Sequence, residues 1–116
     1  LAIAVDAGLV INPDGAANQI EGGAIQSTSW TVKERVRFDR FTVTSDTWES
    51  YPILRFSEVP AVDVEFLPGT DNPPLGVGEC AQGPTAAAIA NAVSDALGLR
   101  VRSLPLTAQQ IIAAMP

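Results

Sequence analysis

Histidine is missing from this sequence, and that absence removes the commonest metal ligand and the usual general base near neutral pH. Lysine is almost missing as well, with Lys33 the sole example. Without clustered lysine and arginine, and with a net charge of −6, the chain has nothing to neutralise a run of phosphates, which argues against nucleic-acid binding. Cysteine occurs once, at Cys80, so no disulfide within the chain can form and nothing signals an oxidising compartment. No apolar run reaches the length of a membrane span, and no basic-plus-apolar leader is present. The compartment, cytoplasmic or periplasmic, stays open.

What the chain does have is apolar content. Its 116 residues are 47% hydrophobic and only 17% charged, the balance of one globular domain rather than a disordered segment. Leu1 to Val5 reads as a strand entered midway, which sets the expectation that residues 1–116 are one domain cut from a larger protein.

The stretch that organises the chain is Pro74-Leu-Gly-Val-Gly-Glu-Cys-Ala-Gln-Gly-Pro84, which leads into the alanine-rich run Thr85 to Leu97. It sets one carboxylate, Glu79, beside Leu75, Val77 and Gly78, just ahead of a helix that Pro84 can start and Gly98 can stop. A charged group among small and apolar ones at a loop-to-helix junction is a candidate site; an ordinary turn into a core helix has the same local pattern.

Upstream, Asn12 and Pro13 suit an N-cap and first helical position, and Ala16, Ile20, Ala24 and Ser27 recur at helical spacing, which predicts a helix from about Pro13 to Trp30. Gly22 and Gly23 lie inside it, although an interior glycine costs about 1 kcal/mol relative to alanine. Their retention implies a close approach there by another helix or a ligand. Gln19 and Gln26 lie two turns apart on one face of this helix, where their amides can hold a polar ligand or simply face water.

Arg35 to Val43 mixes β-formers with charges and predicts an exposed strand or hairpin edge. Trp48, Tyr51, Ile53, Leu54 and Phe56 form an aromatic and aliphatic group expected to pack in the core or wall a pocket. Ala61 to Leu67 alternates cleanly, with Val62, Val64 and Phe66 on one face and Asp63 and Glu65 on the other. A loop from Pro68 to Pro74 follows. Arg100 to Leu106 reads as a short strand and turn, and Thr107-Ala-Gln-Gln110 as a capping box opening a last helix whose Ile111, Ile112 and Met115 would dock on the body. The expected architecture is α+β: a mixed sheet against two main helices, with a short C-terminal helix.

Several separated motifs resemble one family. Val5-Asp-Ala-Gly8, Asn12-Pro13, Gln19-Ile-Glu-Gly-Gly23, Tyr51-Pro-Ile-Leu-Arg55, Glu58-Val-Pro60 and Gly76-Val-Gly-Glu79 look like the C-terminal part of the molybdopterin-binding large subunit of the xanthine dehydrogenase and aldehyde oxidase family. Ala81 to Ala92 and Arg102-Ser-Leu-Pro-Leu106 resemble its isoquinoline 1-oxidoreductase and nicotinate dehydrogenase branch. The likeness runs from Leu1 to about Leu106 and lies in the order and spacing of the motifs, none of which is specific alone.

The resemblance implies a molybdenum hydroxylase that oxidises a ring carbon next to nitrogen, or an aldehyde, with water as oxygen source. Carried onto matching positions, Glu79 would be the general base and Gln19 a cofactor contact, with Gly22, Gly23, Gln26 and Gly78 nearby; no residue here would ligate the metal. The cofactor would be molybdopterin, in its cytosine dinucleotide form, held by the full subunit and not by this chain alone. Electrons would leave through a [2Fe-2S] iron–sulfur subunit, in this branch sometimes onward to a cytochrome c. One departure is Cys80, where many members have proline after the Glu. Two other readings compete: a stand-alone anion or nucleotide module using the Gly-rich loop, against which stands the lack of a Gly-Lys-Ser/Thr run, and a structural assembly domain without catalysis.

Overall fold

The computed structural model describes residues 1–69 and 71–116; Thr70, inside the loop expected from Pro68 to Pro74, lies outside the described residues. Strand β1 (Ala2–Val5), helix α1 (Pro13–Val32), strand β2 (Asp63–Phe66), helix α2 (Gln82–Leu97) and helix α3 (Ala108–Ala113) follow in that order. β1 and β2 pair in parallel with Ala2 opposite Asp63 and Val5 opposite Phe66, so β1–α1–β2 is a crossover unit. The α+β class holds, with two main helices and a short third. The expected mixed sheet is, among the described residues, two strands paired in parallel only.

Local chemistry explains the helix ends. The Asn12 side chain accepts a hydrogen bond from the Gly15 amide (3.1 Å), and Pro13 follows at the first helical position. α2 stops at Gly98, whose φ of 66° is a conformation that side chains resist. Thr107 caps α3 by accepting from the Gln110 amide (3.3 Å).

Ile20 and Ala24 of α1 and Ala81 ahead of α2 are buried together, with Ile3, Val5, Val64 and Phe66 packed on them from the inner face of the sheet. Asp63 and Glu65 point outward, as the alternation predicted. Helix α1 is the hub, touching both α2 and β2.

Outside that centre, several expectations give way. Arg35–Val43 forms no full strand but does make a short exposed hairpin, with one antiparallel bridge between Phe38 and Val43 and a turn that the Asp39 carboxylate closes by taking the Phe41 and Thr42 amides. Trp48, Ile53 and Phe56 are exposed, Phe56 fully, so they are not core, while Trp48 and Tyr51 do wall a shallow groove beside Ser45–Thr47. Tyr51 is pulled toward α1 by its hydroxyl, which donates to Glu34 Oε2 (2.7 Å). Arg100–Leu106 forms no strand: Pro105 has no amide to give a ladder, and the Leu106 amide bonds instead to Thr31 O (2.6 Å) at the end of α1. α3 packs on no other described element, and Ile112 and Met115 face solvent. The Cα radius of gyration, 16.9 Å, exceeds the roughly 13 Å of a compact domain this long. Much apolar surface is left uncovered on this open body.

Candidate active-site loop and its helix

The Gly-rich loop is tied at both ends. At its start, Gly8 follows β1 with φ +62°, and its amide donates to Asp6 Oδ1 (3.1 Å). This turn offers backbone groups to the incoming loop: the Leu9 amide donates to Asn72 O (3.0 Å) and the Leu75 amide to Ala7 O (3.0 Å). A Cβ on Gly8 would lie 2.2 Å from Pro73 O, so only glycine fits. The Val5-Asp-Ala-Gly8 motif therefore seats the loop that carries Glu79.

At its far end the loop is fastened to α1. Ser27, wholly buried, donates from Oγ to Gln82 O (2.6 Å). Gln82 in turn donates from Nε2 to Gln26 Oε1 (3.1 Å). Gly23 is buried beneath the loop, where a Cβ would stand 3.8 Å from Gly78 O and 3.9 Å from Ala81 Cβ. The loop does pack on α1 at Gly23, but at ordinary contact distance, so the close approach expected at the paired glycines is not seen within the chain. Gly22 is exposed and a Cβ there would meet nothing within 4 Å. Nothing in the described fold requires a glycine at 22.

The structure thus brings Gly23, Gln26 and Gly78 together, around a loop that carries Glu79. Gln19 is exposed on the same stripe of α1, one turn before Gly23. Glu79 itself is exposed, not walled by Leu75 and Val77, and its carboxylate makes no ion pair; the ion pair among the described residues is Lys33–Glu58. Its backbone carbonyl accepts the Gln82 amide (3.2 Å), which shapes the turn into α2. Sequence reasoning assigned no role to Gln82 and treated Ser27 only as a position of helical spacing. The signal was available, since Ser27 follows Gly23 at i+4 and so faces the same neighbour.

The start of α2 is a poor anion cradle. The Gln82 amide bonds to Glu79 O, the Thr85 amide bonds to Ala81 O, and Pro84 has no amide. No group of three or more His, Cys, Asp or Glu among the described residues could hold a metal ion. The donor set suits a polar organic cofactor better: exposed carboxamides at Gln19 and Gln26, and open space over Gly22 and Gly78. No helix of the described chain is long and apolar enough to cross a membrane.

Comparison with known sequences decides the family. The sequence model of the Molybdopterin cofactor-binding domain matches residues 1–60, half of the chain. The chain belongs to that family. The chain is similar to one of the subunits of nicotinate dehydrogenase from Pseudomonas putida, 54% identical over 110 residues that cover 95% of this chain and 9% of the relative. It is also 38% identical over 103 residues to the beta subunit of isoquinoline 1-oxidoreductase from Brevundimonas diminuta, covering 89% of this chain and 13% of that one. Among solved structures, quinoline 2-oxidoreductase from Pseudomonas putida 86 superposes with a TM-score of 0.88 at 30% identity, over 97% of this chain and 15% of the other. These relatives bear out the branch that the motifs resemble. The chain spans well under a fifth of the length of each.

Proposed function

We propose that this molybdopterin-binding domain segment works as the base-bearing lobe of a molybdenum hydroxylase, with Glu79 as general base and Gln19 and Gln26 as cofactor contacts. The observation that supports it most is the joining of two motifs far apart in sequence, Gln19–Gln26 and Gly76–Gln82, through the Ser27–Gln82 and Gln26–Gln82 hydrogen bonds. That junction leaves the Glu79 side chain exposed and without an ion pair.

When bound, molybdopterin supplies the oxygen-transfer and electron-accepting chemistry, in the cytosine dinucleotide form that the resemblance implies. This chain's part is to hold and to move a proton. Gln19 presents a donor and an acceptor to the cofactor's polar edge, whereas Gln26, whose Oε1 accepts from Gln82, presents its amide N–H groups. Gly22 and Gly78 keep the backbone clear of side chains where the cofactor approaches. Glu79 takes the proton from the oxygen nucleophile as it attacks the substrate carbon, which requires its carboxylate ionised and within hydrogen-bond reach.

The substrate class we assign is a nitrogen heteroaromatic, oxidised at a ring carbon next to nitrogen; the relatives named above are all named for such rings, with an aldehyde as the alternative. Residues 1–116 act as one lobe of the larger subunit, which delivers electrons to a [2Fe-2S] partner, in this branch sometimes onward to a cytochrome c. In that intact subunit, Glu79→Gln is expected to keep molybdenum content near normal while turnover falls on the order of 100-fold to 10,000-fold. Turnover close to wild type in that variant removes Glu79 from the reaction.

A further inference from the structure

Gln82 joins the Glu79 loop to α1 through both its backbone and its side chain. Its amide donates to Glu79 O (3.2 Å), its carbonyl accepts from Ser27 Oγ (2.6 Å), and its side chain donates from Nε2 to Gln26 Oε1 (3.1 Å). The first two bonds pin the backbone, and Ser27 is wholly buried, where water competes poorly for its hydroxyl. The third bond runs along α1. The Gln82 stem crosses Gly23, where a Cβ would stand 3.7 Å from Gln82 Cγ, and its amide ends at Gln26. A half-buried side chain thus starts from a fixed backbone and holds an exposed one.

That geometry decides what Gln26 can offer. A carboxamide has one acceptor oxygen and one donor NH₂ group. With Oε1 turned to Gln82, the Gln26 Nε2 group is the end left for a ligand, and it suits an acceptor.

We propose that Gln82 is a positioning residue that holds the Gln26 carboxamide with its N–H groups outward, so that this point of the site takes a hydrogen-bond acceptor of the cofactor and turns a donor away. Ser27 acts behind it, as the anchor of the Gln82 backbone. The inference deepens the reading of Gln26 as a cofactor contact and rests on it, and it needs no role for Glu79.

Release of molybdopterin from the loaded full subunit in mild urea, followed by the fluorescence of the freed pterin, tests it without any turnover. Gln82→Glu keeps the shape but can only accept, so Gln26 must turn Nε2 inward and its oxygen outward. Release is expected to quicken about tenfold, the worth of one hydrogen bond lost and two acceptors opposed. Gln82→Met removes the clasp without reversing it and leaves Gln26 free to turn, so release is expected to quicken by about threefold. On a Gln26→Ala background, Gln82→Glu is expected to add nothing. If Gln82 only supports the fold, Gln82→Met is at least as damaging as the isosteric Gln82→Glu, and that order overturns the proposal. An equal effect of Gln82→Glu with and without Gln26 marks the new charge alone and overturns it too. Release from Gln26→Ala no faster than from wild type removes Gln26 from the cofactor, and the proposal falls with that reading. Faster release from Gln26→Ala with none from Gln82→Glu overturns the proposal alone.

Discussion

Replacing Gly8 with alanine is the sharpest test of how the site loop is held. The residue sits at φ +62°, where a side chain costs about 1–2 kcal/mol in an L-residue. The larger cost is steric. The new Cβ would stand 2.2 Å from Pro73 O, a backbone atom that cannot swing aside as a side-chain end could. Restoring an ordinary contact of roughly 3.3 Å moves the 72–75 segment by about 1 Å. That shift stretches the Leu9–Asn72 and Leu75–Ala7 hydrogen bonds, each worth about 1 kcal/mol. Together these terms predict a loss of about 2–4 kcal/mol in stability, within the range of single substitutions with a named steric cause. Because Leu75 lies four residues before Glu79 in the same loop, the displacement reaches the carboxylate, and a misplacement of about 1 Å can cost on the order of 100-fold in rate. Urea unfolding of the subunit carrying Gly8→Ala measures the first effect, and steady-state turnover per bound molybdenum the second. Unchanged stability together with unchanged turnover would refute the claim that this turn seats the loop.

Gly22→Ala should act in the opposite sense on folding, because its Cβ meets nothing within 4 Å; the helix gains about 1 kcal/mol, and molybdopterin content of the loaded subunit falls. A gain in stability with normal cofactor content would separate Gly22 from the cofactor. Thr31 is fully buried and its hydroxyl has no hydrogen-bond partner among the described residues, so Thr31→Val, the same shape without the hydroxyl, should stabilise by about 1 kcal/mol in thermal unfolding. Destabilisation would mean that the hydroxyl is in fact paired. The Lys33 ammonium, followed by the Arg55 amide, holds the Glu58 carboxyl below its ordinary value of 4.5. A lowered carboxylate stabilises the fold above that value, and the benefit fades as pH falls through the depressed one, so Lys33→Met should flatten the acid limb of a stability–pH curve. The Tyr51 phenol is held above 10.0 by its hydrogen bond to Glu34, so that contact stabilises below pH 10.0 and is lost as pH rises past it; an ultraviolet titration should place the phenol above free tyrosine.

Local rules were enough wherever an element is specified by neighbours in sequence. Asn12-Pro13 announced the start of α1, Gly98 the end of α2, and the alternation of Val62, Val64 and Phe66 the inward face of β2, because caps and periodicity act over a few residues. The order of the glycine and glutamine motifs also carried the family. What the sequence did not carry were the contacts that span the chain. Arg35–Val43 has strand composition but pairs only with itself across a tight turn, Arg100–Leu106 finds no strand to pair with, and Trp48 and Phe56 have core composition but lie where this chain has no core to cover them. Ser27 and Gln82 stand 55 residues apart, and only folding makes them one clasp. Composition sets what each residue can do; which partner it meets depends on long-range packing, and so the placement of the loop that carries Glu79, its seat at Gly8 and its fastening to α1 were decided by the tertiary structure.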